Sequence, residues 1–299
     1  MKAAAFDYRR AASVAEALAW LAEAGGDAKI VAGGQSLVPM MAMRLSRPAL
    51  LIDIHRLTEL QALTPAVDLV RTGAGVRQRQ IEDTPALDAT LPLVRRALRW
   101  VGHRQTRNRG TLGGSLVHAD PSAELPLAAL VLDAGLQLQS QAGGARQLAC
   151  QDFFLGPMVT AVADTECLLA IDWPVWQGGR VGAAFDETAI RHGDFAMASA
   201  ACQLQLDGAG RIRRAAIGLG GVGATPLAFP ALAQRLVGQT LTPALAEDVA
   251  HSAAAESDPG NDMHASAGYR RHLAAVLLAR ALQVAANDAM NDAAQTGAR

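Results

Sequence analysis

Two glycine-rich segments hold the residue types in this sequence best suited to binding an anion. Ala32-Gly33-Gly34-Gln35-Ser36 follows the short β-rich run Lys29-Ile30-Val31, and Thr111-Leu112-Gly113-Gly114-Ser115 repeats the pattern later in the chain. Consecutive glycines let a backbone adopt conformations closed to other residues and approach a ligand closely. Successive N–H groups then form a concave anion site, to which a following helix adds its N-terminal dipole. Ser36 can donate a hydroxyl, and the second segment offers those of Thr111 and Ser115 beside a stretch of unobstructed amides. Either segment alone is as readily an ordinary turn. Facing each other, they would clamp a pyrophosphate from both sides.

Around the second segment lie Arg104, Arg107 and Arg109, then His118, Asp120 and Glu124. The arginines read either as a solvated face or as a docking surface or phosphate contact. No aromatic residue interleaves with them, which argues against single-stranded nucleic acid. Gly218-Leu219-Gly220-Gly221-Val222-Gly223 satisfies G-x-G-x-x-G, but a dinucleotide fingerprint must open a helix within a βαβ unit. Here Pro226 and Pro230 interrupt any helix, so these glycines are expected in a loop. There is no G-x-x-x-x-G-K-[ST], H-E-x-x-H or G-x-S-x-G, and the seven histidines are scattered. No catalytic nucleophile, general base or metal site is therefore assigned. Asp194, in Arg191-His192-Gly193-Asp194-Phe195, is a candidate functional carboxylate or simply a solvated loop acid.

Cys150, Cys167 and Cys202 are widely spaced, with no C-x-x-C pair. Disulfide frameworks, zinc sites and iron–sulfur clusters need clustered thiolates, so all three are expected to be reduced, partly buried thiols. A net charge of -1 gives no general reason to bind nucleic acid or an anionic membrane. The apolar runs fall short of the roughly 20 residues that span a bilayer. An acid at Asp7 comes too early for a signal peptide. The expectation is a soluble, cytoplasmic chain without an integral membrane segment.

The elements that must position these residues follow from pattern. A chain of 299 residues, 51% hydrophobic, suits two or three domains with real cores. Ser13 with Glu16 marks a helix start, Val14, Leu18 and Leu21 keep helical spacing, and Gly25-Gly26 closes it. Ala49 to Ile54 has strand length, so the first 55 residues read β–α–β–turn–α–β. Val70–Gly75 reads as a strand, Arg79–Asp83 as a helix start, Leu91–Val101 as a helix and Cys167–Ile171 as a strand. Gln177-Gly178-Gly179 looks like a linker. Beyond it, two strands flank Asp207-Gly208-Ala209-Gly210, a hairpin signal, and helices are expected at about 229–237, 243–255 and 266–286. This gives a first domain at 1–177 (subdomains about 1–56 and 57–177), a second at 180–288, and a disordered tail at 289–299.

Longer stretches around the two turns carry a resemblance. Ala32 to Leu45 followed by Leu51-Ile52-Asp53-Ile54, Arg107 to Pro121, and Arg191-His192-Gly193-Asp194-Phe195-Ala196 resemble three signatures of one family. That family is the FAD-binding medium subunit of molybdenum hydroxylases, the carbon monoxide dehydrogenase and xanthine dehydrogenase group. The likeness runs from about Phe6 to residue 285. One departure is Gln35, where the family commonly has His.

The resemblance implies an α+β fold: a two-part α/β FAD domain, like that of vanillyl-alcohol oxidase, then a smaller domain with an antiparallel sheet and helices. It implies that Ala32, Gly33, Gly34, Gln35, Ser36 and Leu37, with Thr111, Gly113, Gly114 and Ser115, hold the FAD pyrophosphate. Glu124 would hydrogen-bond the ribose or adenine side, Leu168 or Leu169 would pack against the ring system, and Asp194 would lie toward the isoalloxazine. Molybdenum cofactor and iron–sulfur clusters would reside only in a large and a small partner subunit, in a dimer of heterotrimers. Electrons would run from substrate through molybdenum and clusters to this FAD and out to an acceptor. Substrate binds on another chain, so CO, purines, nicotine-like heterocycles and aldehydes all stay open, as does the acceptor. Two rivals are a self-sufficient FAD-dependent oxidoreductase of the same fold and a non-catalytic assembly subunit without flavin.

Overall fold

Each of the first strands is returned by a helix, so the sheet they form is parallel. In the computed structural model, which describes residues 2–296, β1 (Asp7–Arg10) leads through α1 (Val14–Ala24), β2 (Ala28–Val31) and α2 (Leu37–Ala42) to β3 (Leu50–Asp53). The order is β1-β3-β2, and the central β3 is buried throughout. The start of α1 is fixed as its sequence suggests: Ser13 Oγ accepts from Glu16 N (3.1 Å), and the Glu16 carboxylate accepts from Ala12 N (2.6 Å). Gly25 ends it in the left-handed conformation. The last residue of β3, Asp53, is buried and accepts from Tyr8 Oη and His55 N, which hold its carboxyl below the ordinary range against the burial that raises it.

The second unit is antiparallel. It comprises β4 (Leu63–Pro65), β5 (Leu69–Gly73), α3 (Gln78–Glu82), α4 (Pro92–Leu98), α5 (Arg104–Arg109), α6 (Leu112–His118), α7 (Glu124–Val131), β6 (Gly135–Ser140), β7 (Gly144–Ala149), the small ladder β8 (Phe154–Gly156) and β9 (Val159–Thr160), and β10 (Glu166–Pro174). The sheet order is β4-β5-β10-β6-β7. The helix expected over Leu91–Val101 is shorter, Pro92–Leu98, and Trp100 instead turns to donate its indole N–H to Phe185 O (3.1 Å). Leu93, Val94 and Leu98 of α4 join Leu125 and Leu127 of α7 and Trp173 of β10 in one core.

The third unit contains β11 (Arg180–Thr188), β12 (Ala198–Leu206), β13 (Ile212–Gly220), β14 (Leu227–Ala228), α8 (Pro230–Leu236), α9 (Pro243–Glu256) and α10 (Ala267–Thr296). The four strands pair antiparallel in chain order. One sheet face receives α9 and α10; the other sends Ala183, Phe185 and Ala201 into the core of the second unit. At Gly182 a Cβ would overlap the Ala285 carbonyl, so glycine is what lets α10 lie flat on β11.

Two expectations change here. The tail expected from residue 289 is helical through Thr296: Ala285, Ala286 and Ala289 are buried on the sheet, and that contact continues the helix. Residues 297–299 lie outside the described residues. By length and mean hydropathy Ala267–Asn291 would suit a membrane span, but 56% of that window is buried inside the protein. The G-x-G-x-x-G segment opens no helix, but it is a loop only in its second half: Gly218 and Gly220 belong to β13, and Gly221 turns the chain at positive φ.

Candidate functional site

The two glycine turns lie side by side. A Cβ on Gly33 would overlap the Arg109 carbonyl and stand 2.9 Å from Gly110 Cα, so the first turn rests directly on the backbone leading into the second. Gly34 takes φ +70°, the left-handed region that favours glycine. Gln35 closes this turn by donating Nε2–H to Gly33 O (3.0 Å). Among the described residues, the amides of Gly33, Gly34, Gln35 and Ser36 have no protein partner. They form an open row of donors.

The second turn is built differently. Leu112 N donates to Val76 O (3.0 Å), Gly113 N to Ala74 O (2.9 Å) and Ser115 N to Thr111 O (3.2 Å). Gly114 N donates to Thr111 Oγ1 (3.0 Å), the N-cap of α6. The expected stretch of free amides is absent because folding consumes it. What the second turn offers is Ser115, the exposed backbone of Gly114 and the hydroxyl hydrogen of Thr111.

Its frame is the former arginine cluster. Arg107 is buried, makes a two-pronged pair with Glu82 (3.0 and 3.1 Å) and donates to Val101 O (2.9 Å). The hydrogen bond from Arg107 is the first cause holding the Glu82 carboxyl below its usual range. Arg107 is thus a structural anchor, while Arg104 and Arg109 remain exposed. Arg77 donates to Arg109 O, and burial beside the Arg109 charge lowers its own pKa from the ordinary arginine value.

These turns form part of the wall of a cavity of about 500 Å3 at the junction of the three units. That volume is within the usual range for cofactor and ligand sites. Residues Ala32 to Leu37 line it, as do Thr111, Gly113, Gly114 and Ser115. Glu124, at the start of α7, and Leu168 of β10 join them, and Asp194 lies on the rim. Leu169 does not: it sits where the β10–β6 register shifts, and its side chain packs on the first unit's core.

Several wall residues were not legible beforehand. Gln78 is buried against Gly110 with its Oε1 unpartnered. An amide side chain can present either end to a ligand. Phe195, 72% exposed, borders both this cavity and a second of about 540 Å3. Lys29 also faces the site, as do His118 and Asp120, which the sequence already set beside the second turn. Phe195 had a signal, since it stands beside Asp194 in the third signature. Gln78 had none, because only the fold brings α3 beneath the second turn.

The site's electrostatics are divided. Lys29 and the open amides give the turns a positive character suited to phosphate. The opposite wall is acidic: burial, reinforced by Asp120, pushes Glu124 up to about 7. An open amide row, a glycine cradle, an orphaned amide side chain and a cavity of this size together fit a dinucleotide with a pyrophosphate bridge. The thiols are of another kind. Burial pushes Cys167 up to about 12 and raises Cys150 and Cys202 further, so none is poised as a thiolate ligand.

Comparison with known proteins agrees with this geometry. Residues 4–176 match the family model described as the FAD binding domain in molybdopterin dehydrogenase, and residues 183–285 match the CO dehydrogenase flavoprotein C-terminal domain. The chain is 39% identical to the 6-hydroxypseudooxynicotine dehydrogenase complex subunit alpha of Paenarthrobacter nicotinovorans, covering 94% of this chain and 95% of that one. It is also 39% identical to the caffeine dehydrogenase subunit beta of a Pseudomonas species, covering 96% and 97%. A solved carbon monoxide dehydrogenase from Hydrogenophaga pseudoflava superposes with a TM-score of 0.92 at 33% identity, covering 96% of this chain and 99% of that one.

Proposed function

Because this chain belongs to the family of FAD-binding medium subunits of molybdenum hydroxylases, we propose that it is the electron-exit subunit of such an enzyme. In this reading it assembles with a large molybdenum-binding subunit and a small iron–sulfur subunit, as a cytoplasmic dimer of heterotrimers. Electrons leave the partner's clusters, reach the FAD held here and pass to an external acceptor. The flavin supplies the redox chemistry; the chain binds it, orients it and sets its electrostatic surroundings.

The carrying observation is the row of unpartnered amides from Gly33 to Ser36, opening on the 500 Å3 cavity. These donors would hold the pyrophosphate from one side. Ser115 and the Thr111 hydroxyl, on the neighbouring turn, would meet it beside them. Leu168 would pack on the ring system, Glu124 would reach the sugar or adenine side, and Asp194 would stand toward the isoalloxazine. The high thiol pKa values accord with electrons arriving from clusters on other chains.

Co-expression with the neighbouring genes tests this. The expected product is a stable complex carrying flavin, iron and molybdenum, in which substrate reduces the clusters before or with the flavin. The isolated FAD-loaded chain should turn over no organic substrate. Turnover by that chain alone would replace this reading with the self-sufficient oxidoreductase. A chain that stays colourless after FAD reconstitution would leave only the assembly role.

A further inference from the structure

A buried polar group in the cavity wall finds no partner among the described residues. Gln78 opens α3 and is 4% exposed, yet its Oε1 is unpartnered. The side-chain amides of Gln35, Gln61, Gln137 and Gln205 each donate Nε2–H to a carbonyl or carboxylate at 2.7 to 3.0 Å, whereas Gln78 makes no such bond. Buried polar side chains are nearly always paired, so an exception that faces a cavity points to a ligand.

The backbone explains how this amide comes to lie there. Leu112 N donates to Val76 O (3.0 Å) and Gln78 N to Gly110 O (3.0 Å), with Arg77 bridged to Thr111 between them. Val76–Gln78 therefore runs antiparallel beside Gly110–Leu112, and cross-strand neighbours share a face. Gly110 has no side chain, and the Gln78 amide fills that space: a Cβ on Gly110 would stand 2.6 Å from Oε1 and 2.9 Å from Cδ. Gly110 N is already given to Thr106 O (2.7 Å), so it offers Oε1 no donor. Gly33 rests on the same Gly110, where its own Cβ would come within 2.9 Å of Cα. The amide thus sits one glycine away from the first turn, and Gln78 lines the cavity together with both turns.

We propose that Gln78 is a cofactor-binding residue: with Oε1 sealed against Gly110, its Nε2–H donates to an oxygen of the FAD pyrophosphate where the two turns meet. This rests on the FAD reading above. The row from Gly33 to Ser36 supplies main-chain donors, and Gln78 adds a side-chain donor from beneath the second turn. An amide that folding leaves unpaired weakens the flavin-free chain, while the bond it makes to a phosphate tightens the hold on the cofactor. Removing its polar end should therefore relieve the first and weaken the second. A glutamine with a purely structural role would lose stability instead.

The experiment compares the parent with Gln78→Met, which keeps the length of the side chain and removes both polar ends. Denaturant unfolding is followed on the flavin-free full chain, and FAD affinity by fluorescence as flavin is titrated into it. Gln78→Met should unfold at the same denaturant concentration as the parent or a higher one. It should bind FAD about tenfold to a hundredfold more weakly, the range for a hydrogen bond to a charged group. Gln78→Asn keeps the amide but draws it back by one methylene; it too should bind FAD more weakly, and it carries the comparison alone should Gln78→Met fail to fold. FAD affinity equal to the parent's in either variant overturns the contact. A folded Gln78→Met chain that unfolds earlier than the parent shows the amide to be paired within the protein, and overturns it as well. A parent chain that takes up no FAD overturns the FAD reading instead.

Discussion

The Gly33-Gly34 and Gly113-Gly114 turns look alike in sequence and do opposite things with their amides. In the first, the donors from Gly33 to Ser36 are left open toward the cavity. In the second, every donor from Leu112 to Ser115 is taken by Val76, Ala74 or Thr111. Buried N–H groups are nearly always paired, so an unpaired row facing a cavity is informative where a paired one is not. The second turn is the anvil and the first is the open hand. Two similar motifs can divide binding and support between them, and only the hydrogen-bond census tells which is which.

The largest effect should come from the frame under the second turn. Arg107→Met takes the two-pronged partner from Glu82, which keeps Arg79 (3.0 Å), and removes the bond to the Val101 carbonyl, at a cost of about 3 kcal/mol. Denaturant unfolding of the flavin-free chain measures it, and an unchanged midpoint would show that the arginine does not anchor the turn. Glycine replacements separate the turns next. Gly113→Ala places a Cβ 2.5 Å from Ala74 Cβ and 2.8 Å from its main chain, and overpacking of this kind costs about 1–3 kcal/mol. Gly114→Ala meets only the Thr111 hydroxyl, at 2.7 Å, and should be milder. Equal losses at the two positions would contradict this packing.

The smallest effects are the most discriminating. Thr111→Ala removes the α6 cap and should lower stability by about 1 kcal/mol with or without flavin. Ser36→Ala removes a hydroxyl with no side-chain cap bond, so stability should stay within about 0.5 kcal/mol while flavin retention weakens. Thermal melts of apo and reconstituted protein compare the two. A destabilised Ser36→Ala apo chain would erase the asymmetry between the turns.

Much of this molecule was legible before folding. The Ser13 cap and Gly25 stop announce α1, the apolar run at Leu50–Ile52 announces the buried central strand, and Asp207-Gly208-Ala209-Gly210 announces the β12–β13 hairpin. These signals are local, written in a few adjacent residues. The end of α10 was misread for the same reason: its small, polar composition suggested fraying, while burial of Ala289 on a distant sheet decided otherwise.

By itself, then, the sequence determined the glycine signatures, the alternation of strands and helices in the first unit, the β12–β13 hairpin, the family they resemble, and the absence of clustered thiols. Tertiary structure alone decided which amides stay free, because that depends on whether Ala74 and Val76 arrive to accept them. It also separated Leu168 from Leu169, brought Gln78 beneath the second turn and turned Arg107 inward. Each of these is a matter of what a side chain or an N–H finds within a few ångströms. Such neighbours come from far along the chain, and no local pattern records them.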